Sequence, residues 1–131
     1  MEVIFNKGIP GFENLRKFNI DNIKENESFK IISSIEENIS FIAISPFDID
    51  SSYDIYLNEE IINELKIKES TDVMVLNIVT LGNTLEESTA NLKAPIIINI
   101  KNNLGKQFIL QNDIYETKHP LSRREQYVSN Y

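Results

Sequence analysis

The chain has 131 residues, 41% of them hydrophobic and 25% charged, a length and balance that fit one globular domain with its own core. It holds no cysteine, one histidine and a formal net charge of −7, which exclude a disulfide framework and a Cys/His zinc site and disfavour nucleic-acid binding by the body. The charge is uneven: residues 1–116 carry ten basic and nineteen acidic side chains, whereas 117–131 carry Lys118, Arg123 and Arg124 against Glu125.

Isoleucine dominates the apolar set, and a β-branched side chain favours strands over helices. Residues 1–5 read as a short strand with Val3 and Phe5 on one face. Gly8-Ile9-Pro10-Gly11 is a turn, because glycine permits positive φ and proline fixes its own φ. Residues 12–20 are mixed, with Phe12, Leu15, Phe18 and Ile20 partly inward, and the polar residues 21–28 read as a loop. Strands are expected over 29–35 and 39–45, joined by a tight turn at Glu36-Glu37-Asn38. In the second of them Ile39, Phe41 and Ala43 alternate with Ser40, Ile42 and Ile44.

Pro46 ends that pairing, and a short strand is expected over 53–57. Asn58 suits a helix N-cap, Glu59 and Glu60 suit the first turn, and Ile61, Ile62 and Leu65 give an apolar face, so 59–66 is the one expected helix. Residues 72–81 read as a central strand, apolar on the face of Val73, Val75 and Val79 and also on that of Met74, Leu76 and Ile78. Residues 85–92 are expected to be extended, Ala94-Pro95 breaks them, 96–100 form a buried strand, and 106–110 return as its hairpin partner. Residues 117–131 read as a flexible tail. Many short strands with one helix predict a mostly β fold: a small closed or nearly closed antiparallel β-barrel with one short helix, forming a single domain over 1–116.

Catalytic chemistry finds little support. The sole histidine, His119, falls in the expected tail and no Gly-x-Ser-x-Gly elbow accompanies the serines, so a nucleophile lacks a positioned base. Asp48, Asp50, Ser52, Asp54 and Glu59 fall at the oxygen-ligand positions of an EF-hand count, but Tyr53 stands where its sharp turn needs glycine. The adjacent carboxylates Glu36-Glu37, Glu59-Glu60 and Glu86-Glu87 diverge when extended and fit solvated turns. No metal, cofactor, nucleic-acid or membrane partner is therefore expected. No basic n-region or apolar stretch of about 18 residues occurs, and a cytoplasmic location is expected.

Several segments resemble the FliW family of flagellar assembly factors. Phe5-Asn6-Lys7-Gly8-Ile9-Pro10-Gly11-Phe12-Glu13 is similar to the family's opening motif, and Thr89-Ala90-Asn91-Leu92-Lys93-Ala94-Pro95-Ile96-Ile97-Ile98-Asn99 to its "T-A-N-L-x-A-P-I-x-I-N". Phe41 to Pro46, Val75 to Thr80, Gly105 to Leu110 and His119-Pro120-Leu121 stand in family order, so the likeness spans residues 5–121. It implies a non-catalytic protein that binds flagellin and the translational regulator CsrA. Free protein sequesters CsrA when flagellin is scarce, and accumulating flagellin takes it away. An acidic body suits a basic RNA-binding partner, which makes Glu59, Glu60 and Glu64 candidates for the CsrA contact. Asn91, Leu92 and Pro95 are candidates for a binding edge, or else form a bulge or corner of the barrel. Gly8, Pro10, Gly11 and Phe12 are expected to be mainly structural. The alternative reading is a small structural or ligand-binding β module with no role in translation.

Overall fold

The computed structural model describes residues 1–122. Within them lie strands β1 (Glu2–Ile4), β2 (Lys17–Ile23), β3 (Asn26–Ser34), β4 (Ser40–Ile44), β5 (Val73–Thr80), β6 (Thr89–Ala90), β7 (Ile96–Asn99), β8 (Leu104–Gln107) and β9 (His119–Pro120), with one α-helix, α1 (Glu59–Leu65), between β4 and β5. The sheet order β4-β3-β2-β1-β8-β7-β5 returns to β4, closing a ring of seven strands, and β6 and β9 extend from β5. The expected closed, mostly β architecture with a single short helix is thus observed. It carries one departure from an all-antiparallel arrangement: β1 and β8 run parallel, with Ile4 opposite Leu104.

Strand alternation explains both sides of the ring. Val3, Phe18, Ile20, Ile32, Ala43, Leu76, Ile96 and Ile98 form one cluster fed by six of the ring strands, which places it in the ring's interior. The seventh strand, β8, approaches through Gly105, where a Cβ would come within 2.8 Å of the Phe5 ring. The outer faces of β4, β5 and β7 supply Ile44, Val75, Val79 and Ile97 to a second core, covered by α1 and by the long segments before it and after β8. β5 is apolar on both faces because both faces are covered, as its sequence predicts.

Helix α1 begins where Asn58 Oδ1 accepts a hydrogen bond from Ile61 N at 2.9 Å. It ends at Lys66 in the left-handed region. The Asn99 amide donates to the carbonyls of Leu65 (2.8 Å) and Lys66 (3.1 Å), capturing groups that a helix end leaves unpaired.

Five segments differ from expectation, the simplest being the return strand expected over 106–110, which begins two residues earlier as β8 and ends at Gln107. Residues 21–28 are not a loop: β2 and β3 continue through them and pair as far as Ile23 and Asn26, with a register shift near the turn. A ladder needs only backbone groups, so polar side chains on an exposed hairpin give no sign of it. Residues 53–57 form no strand and lie over the outer core. In 85–92 a 3-10 turn (Leu85–Glu87), capped by Thr84, precedes β6. β9 pairs with β6, and Leu121 is 1% exposed, so the described part of the expected tail contributes to the fold, while Arg123, Arg124 and the rest of 123–131 lie outside the described residues.

Candidate functional site

The turn after β1 is fixed by its glycines. Gly8 has φ +68° and a Cβ there would sit 2.6 Å from the Glu13 backbone. Its N–H donates to Phe5 O, and Phe12 N–H donates to Ile9 O. Gly11 (φ +89°) donates to Glu13 Oε2 at 3.0 Å, the main cause of a lowered Glu13 pKa. Pro10 is left exposed and Phe12 half-buried, its ring edge-on to Phe41 at 5.3 Å.

The 91–95 segment is a corner held from within. Asn91 Oδ1 accepts from Lys93 N and Ala94 N, and Asn91 O accepts from the Asn77 amide at 2.7 Å. Leu92 and Pro95 are buried, and Leu92 O accepts the Tyr53 hydroxyl at 2.7 Å. Burial, above all, pushes the Tyr53 pKa up to about 12, so the hydroxyl keeps the proton it donates. Asn77 Oδ1 has no hydrogen-bond partner among the described residues.

Glu64 is similarly engaged. Its two carboxylate oxygens meet Lys7 Nζ at 2.8 Å and Lys106 Nζ at 2.9 Å, tying the Gly8 turn, α1 and β8 together. The Lys7 contact is the chief reason its pKa lies below the usual carboxylate value, with burial opposing and Lys106 assisting. Glu59 and Glu60 are exposed at the start of α1. In the acidic loop after Pro46, Asp50 accepts from Ser52 N and Oγ at 2.9 and 2.6 Å, a turn-forming arrangement.

Two adjoining cavities lie between these pieces. One, of about 670 Å³, runs beside the start of α1 and includes Tyr56, Glu60, Ile61, Lys106 and Phe108. The other, of about 320 Å³, sits between Phe12, Phe41, Ile78, Asn91 and Lys118. They share Pro10, Gln107 and Ile109. Side chains of the Gly8–Phe12 turn and the 91–95 corner, far apart in sequence, thus line one groove. Its lining joins apolar walls to amide groups, the Glu60 carboxylate and the ammonium groups of Lys106 and Lys118, a mixture suited to binding.

A sequence description of the FliW protein family matches residues 2–121. The chain belongs to the FliW family. It is 49% identical over 124 residues to the flagellar assembly factor FliW of Clostridioides difficile (strain 630), covering 94% of this chain and 95% of that protein. It is 52% identical to the FliW of Clostridium kluyveri (strain NBRC 12016), covering 94% and 86%. A crystal structure of the flagellar assembly factor FliW superposes with a TM-score of 0.88 at 37% identity, covering 95% of this chain and 87% of that one. The relatives carry the name of a flagellar assembly factor, and no helix among the described residues is long and apolar enough to cross a membrane.

Within this FliW fold the sequence-derived candidates divide. Glu59 and Glu60 are exposed beside the groove and form no salt bridge among the described residues, and Pro10 and Phe12 line it. Glu64, Asn91, Leu92 and Pro95 are engaged in holding the walls. The groove residues that sequence reading passes over are Tyr56, Gln107, Phe108 and Ile109. Gln107, Phe108 and Ile109 fall in the family-like segment Gly105 to Leu110, whereas Tyr56 lies in no motif, and its 82% exposure is something alternation without a known partner face does not reveal.

Proposed function

We propose that this chain is a cytoplasmic flagellar assembly factor that binds flagellin and antagonises the translational regulator CsrA, coupling the flagellin level to translation of flagellin mRNA. Family membership over residues 2–121 carries the reading. Free protein holds CsrA away from the message; rising flagellin competes for the protein, releases CsrA and slows translation. CsrA is antagonised at a surface distinct from its RNA site, which makes the effect a coupling between two sites.

The acidic body supports the CsrA half. Residues 1–116 hold nineteen acidic and ten basic side chains, and such a field speeds encounter with a basic RNA-binding protein and loses reach as salt rises. Glu59 and Glu60 are the carboxylates assigned to that encounter. Glu64, Asn91, Leu92 and Pro95 support the surface from behind. The flagellin contact is assigned more apolar character.

The test is calorimetric titration of the protein with flagellin monomer and with CsrA, at low and at near-physiological salt, followed by displacement of bound CsrA by flagellin. Binding to both, displacement, and a CsrA affinity that falls with salt are expected. Failure to bind either partner at tens of micromolar would leave the fold without this function and favour a structural or ligand-binding role.

A further inference from the structure

The seven junctions of the ring are not equally held. Six of them are antiparallel and carry three to six registered residue pairs each. The parallel junction of β1 with β8 carries one, Ile4 with Leu104, backed by the bond from Ile4 N–H to Asn103 O at 2.9 Å. The next amide along, Phe5 N–H, faces the other way and donates to Arg16 O at 2.8 Å. Neighbouring amides of one strand thus report on different junctions. Gly105 packs across the weak one, where a Cβ would stand 2.8 Å from the Phe5 ring and 3.0 Å from Val3.

Side chains supply what this backbone pairing lacks. Helix α1 is fastened to the β7–β8 hairpin, because the Asn99 and Asn102 amides donate to Leu65 O at 2.8 and 3.1 Å. Lys106 in β8 meets Glu64 Oε2 at 2.9 Å. These links fix the helix to the β8 side. Glu64 Oε1 then reaches Lys7 Nζ at 2.8 Å, two residues past Phe5 on the β1 side. One carboxylate therefore spans the junction, oriented by Lys106 and closed by Lys7. Glu60 adds to the attraction felt by Lys7. Lys7 stands mostly in solvent while Glu64 and Lys106 are largely covered, so dissolved ions screen the Lys7 half first.

We infer that the ring opens at the β1–β8 junction with the rest of the fold intact, and that Glu64 with Lys7 is an ionic latch that holds it shut. Opening parts Ile4 from Asn103 while β1 stays paired with β2 and the six antiparallel junctions remain closed. Such a motion is sub-global, of the kind from which conformational switches are drawn. Salt is its release. Lys106 also borders the larger cavity beside α1, so the latch and the groove share a side chain.

The experiment is hydrogen exchange of the full chain, read by NMR at single amides, corrected for intrinsic rates and repeated at low and high salt. Ile4 N–H is expected to exchange about tenfold faster than Phe5 N–H and with a weaker urea dependence, because its opening exposes less surface. Salt is expected to speed Ile4. Glu64→Gln and Lys7→Gln should each speed it about threefold to fivefold at low salt, the size of a partly exposed ion pair, and remove its response to salt. The double variant should add little to either single one, since both break one contact. Lys93→Gln breaks the pair with Asp113 and should leave Ile4 unchanged. Thermal unfolding of each variant checks that the fold is retained.

The latch is overturned if Ile4 and Phe5 exchange together with the same urea dependence, since β1 then leaves as a whole or only with the entire fold. It is overturned equally if Glu64→Gln and Lys7→Gln leave Ile4 exchange unchanged, or if Lys93→Gln speeds it as much as they do.

Discussion

Inside the ring, Val3, Phe18, Ile32, Ala43 and Leu76 come from strands at alternating positions. On the outer face much of the cover comes from residues in no strand: Ile49, Tyr53, Ile61, Leu65, Leu110 and Leu121. The interior closes on itself, so each side chain there answers to neighbours on every side. The outer core is covered by a seven-residue helix and irregular segments, which leave cavities and exposed apolar side chains along their borders. A closed interior and a cavity-bordered outer core are thus two sides of the same strands, and β4, β5 and β7 take part in both.

The comparison breaks most sharply at Phe18. Its ring is fully buried and stands edge-on to Phe5 at 5.4 Å, so Phe18→Ala should cost about 3–5 kcal/mol in chemical denaturation, enough to threaten the fold. The outer core depends more on single polar links. Tyr53→Phe leaves the volume but strips the donor from Leu92 O, and a loss of about 1–3 kcal/mol is expected, with little change in the denaturant slope. The smallest effect is expected at Glu64. Glu64→Gln weakens a partly exposed pairing with Lys7 and Lys106 and should cost under about 1 kcal/mol near neutral pH. The folded-state pKa of Glu64 lies below the ordinary 4.5. Its contribution is therefore fully present above that value and fades as pH falls through the folded pKa. Wild type and Glu64→Gln should converge in stability below pH 4.5, and equal stability at neutral pH would show that the bridge contributes nothing.

The regular parts of this division are legible in the sequence. Alternation in 39–45 separates Ile39, Phe41 and Ala43, which join the interior, from Ile42 and Ile44, which join the outer core. The apolar stripes of 72–81 sort in the same way, and Asn58 marks the helix start correctly. The β2–β3 hairpin stays hidden because its tip is polar and exposed, so no burial pattern distinguishes a paired backbone from a free one. β9 stays hidden because two residues carry no period at all. The groove is legible only in fragments. Glycine and proline announce the turn at 8–11, but whether Asn91 points outward or braces a corner depends on Asn77 and Ile78, which alternation does not connect to it. In sequence Glu64 looks like its neighbours Glu59 and Glu60, and only the tertiary approach of Lys7 and Lys106 sets it apart.

Strand parity has a consequence for how this ring must be threaded. Going around seven strands, six junctions reverse direction, and six reversals return the chain to its starting sense, so the seventh junction has to join strands of the same sense. That seam falls between β1 and β8, where a single residue pair and the bond from Ile4 N–H to Asn103 O at 2.9 Å hold the two edges. Same-sense neighbours cannot be joined by a tight turn, so the seam closes only after most of the chain has been placed. The first strand in sequence is thereby among the last to find its second neighbour. Until it does, the protein is an open ribbon with two unpaired borders, one along β1 and the other along β8.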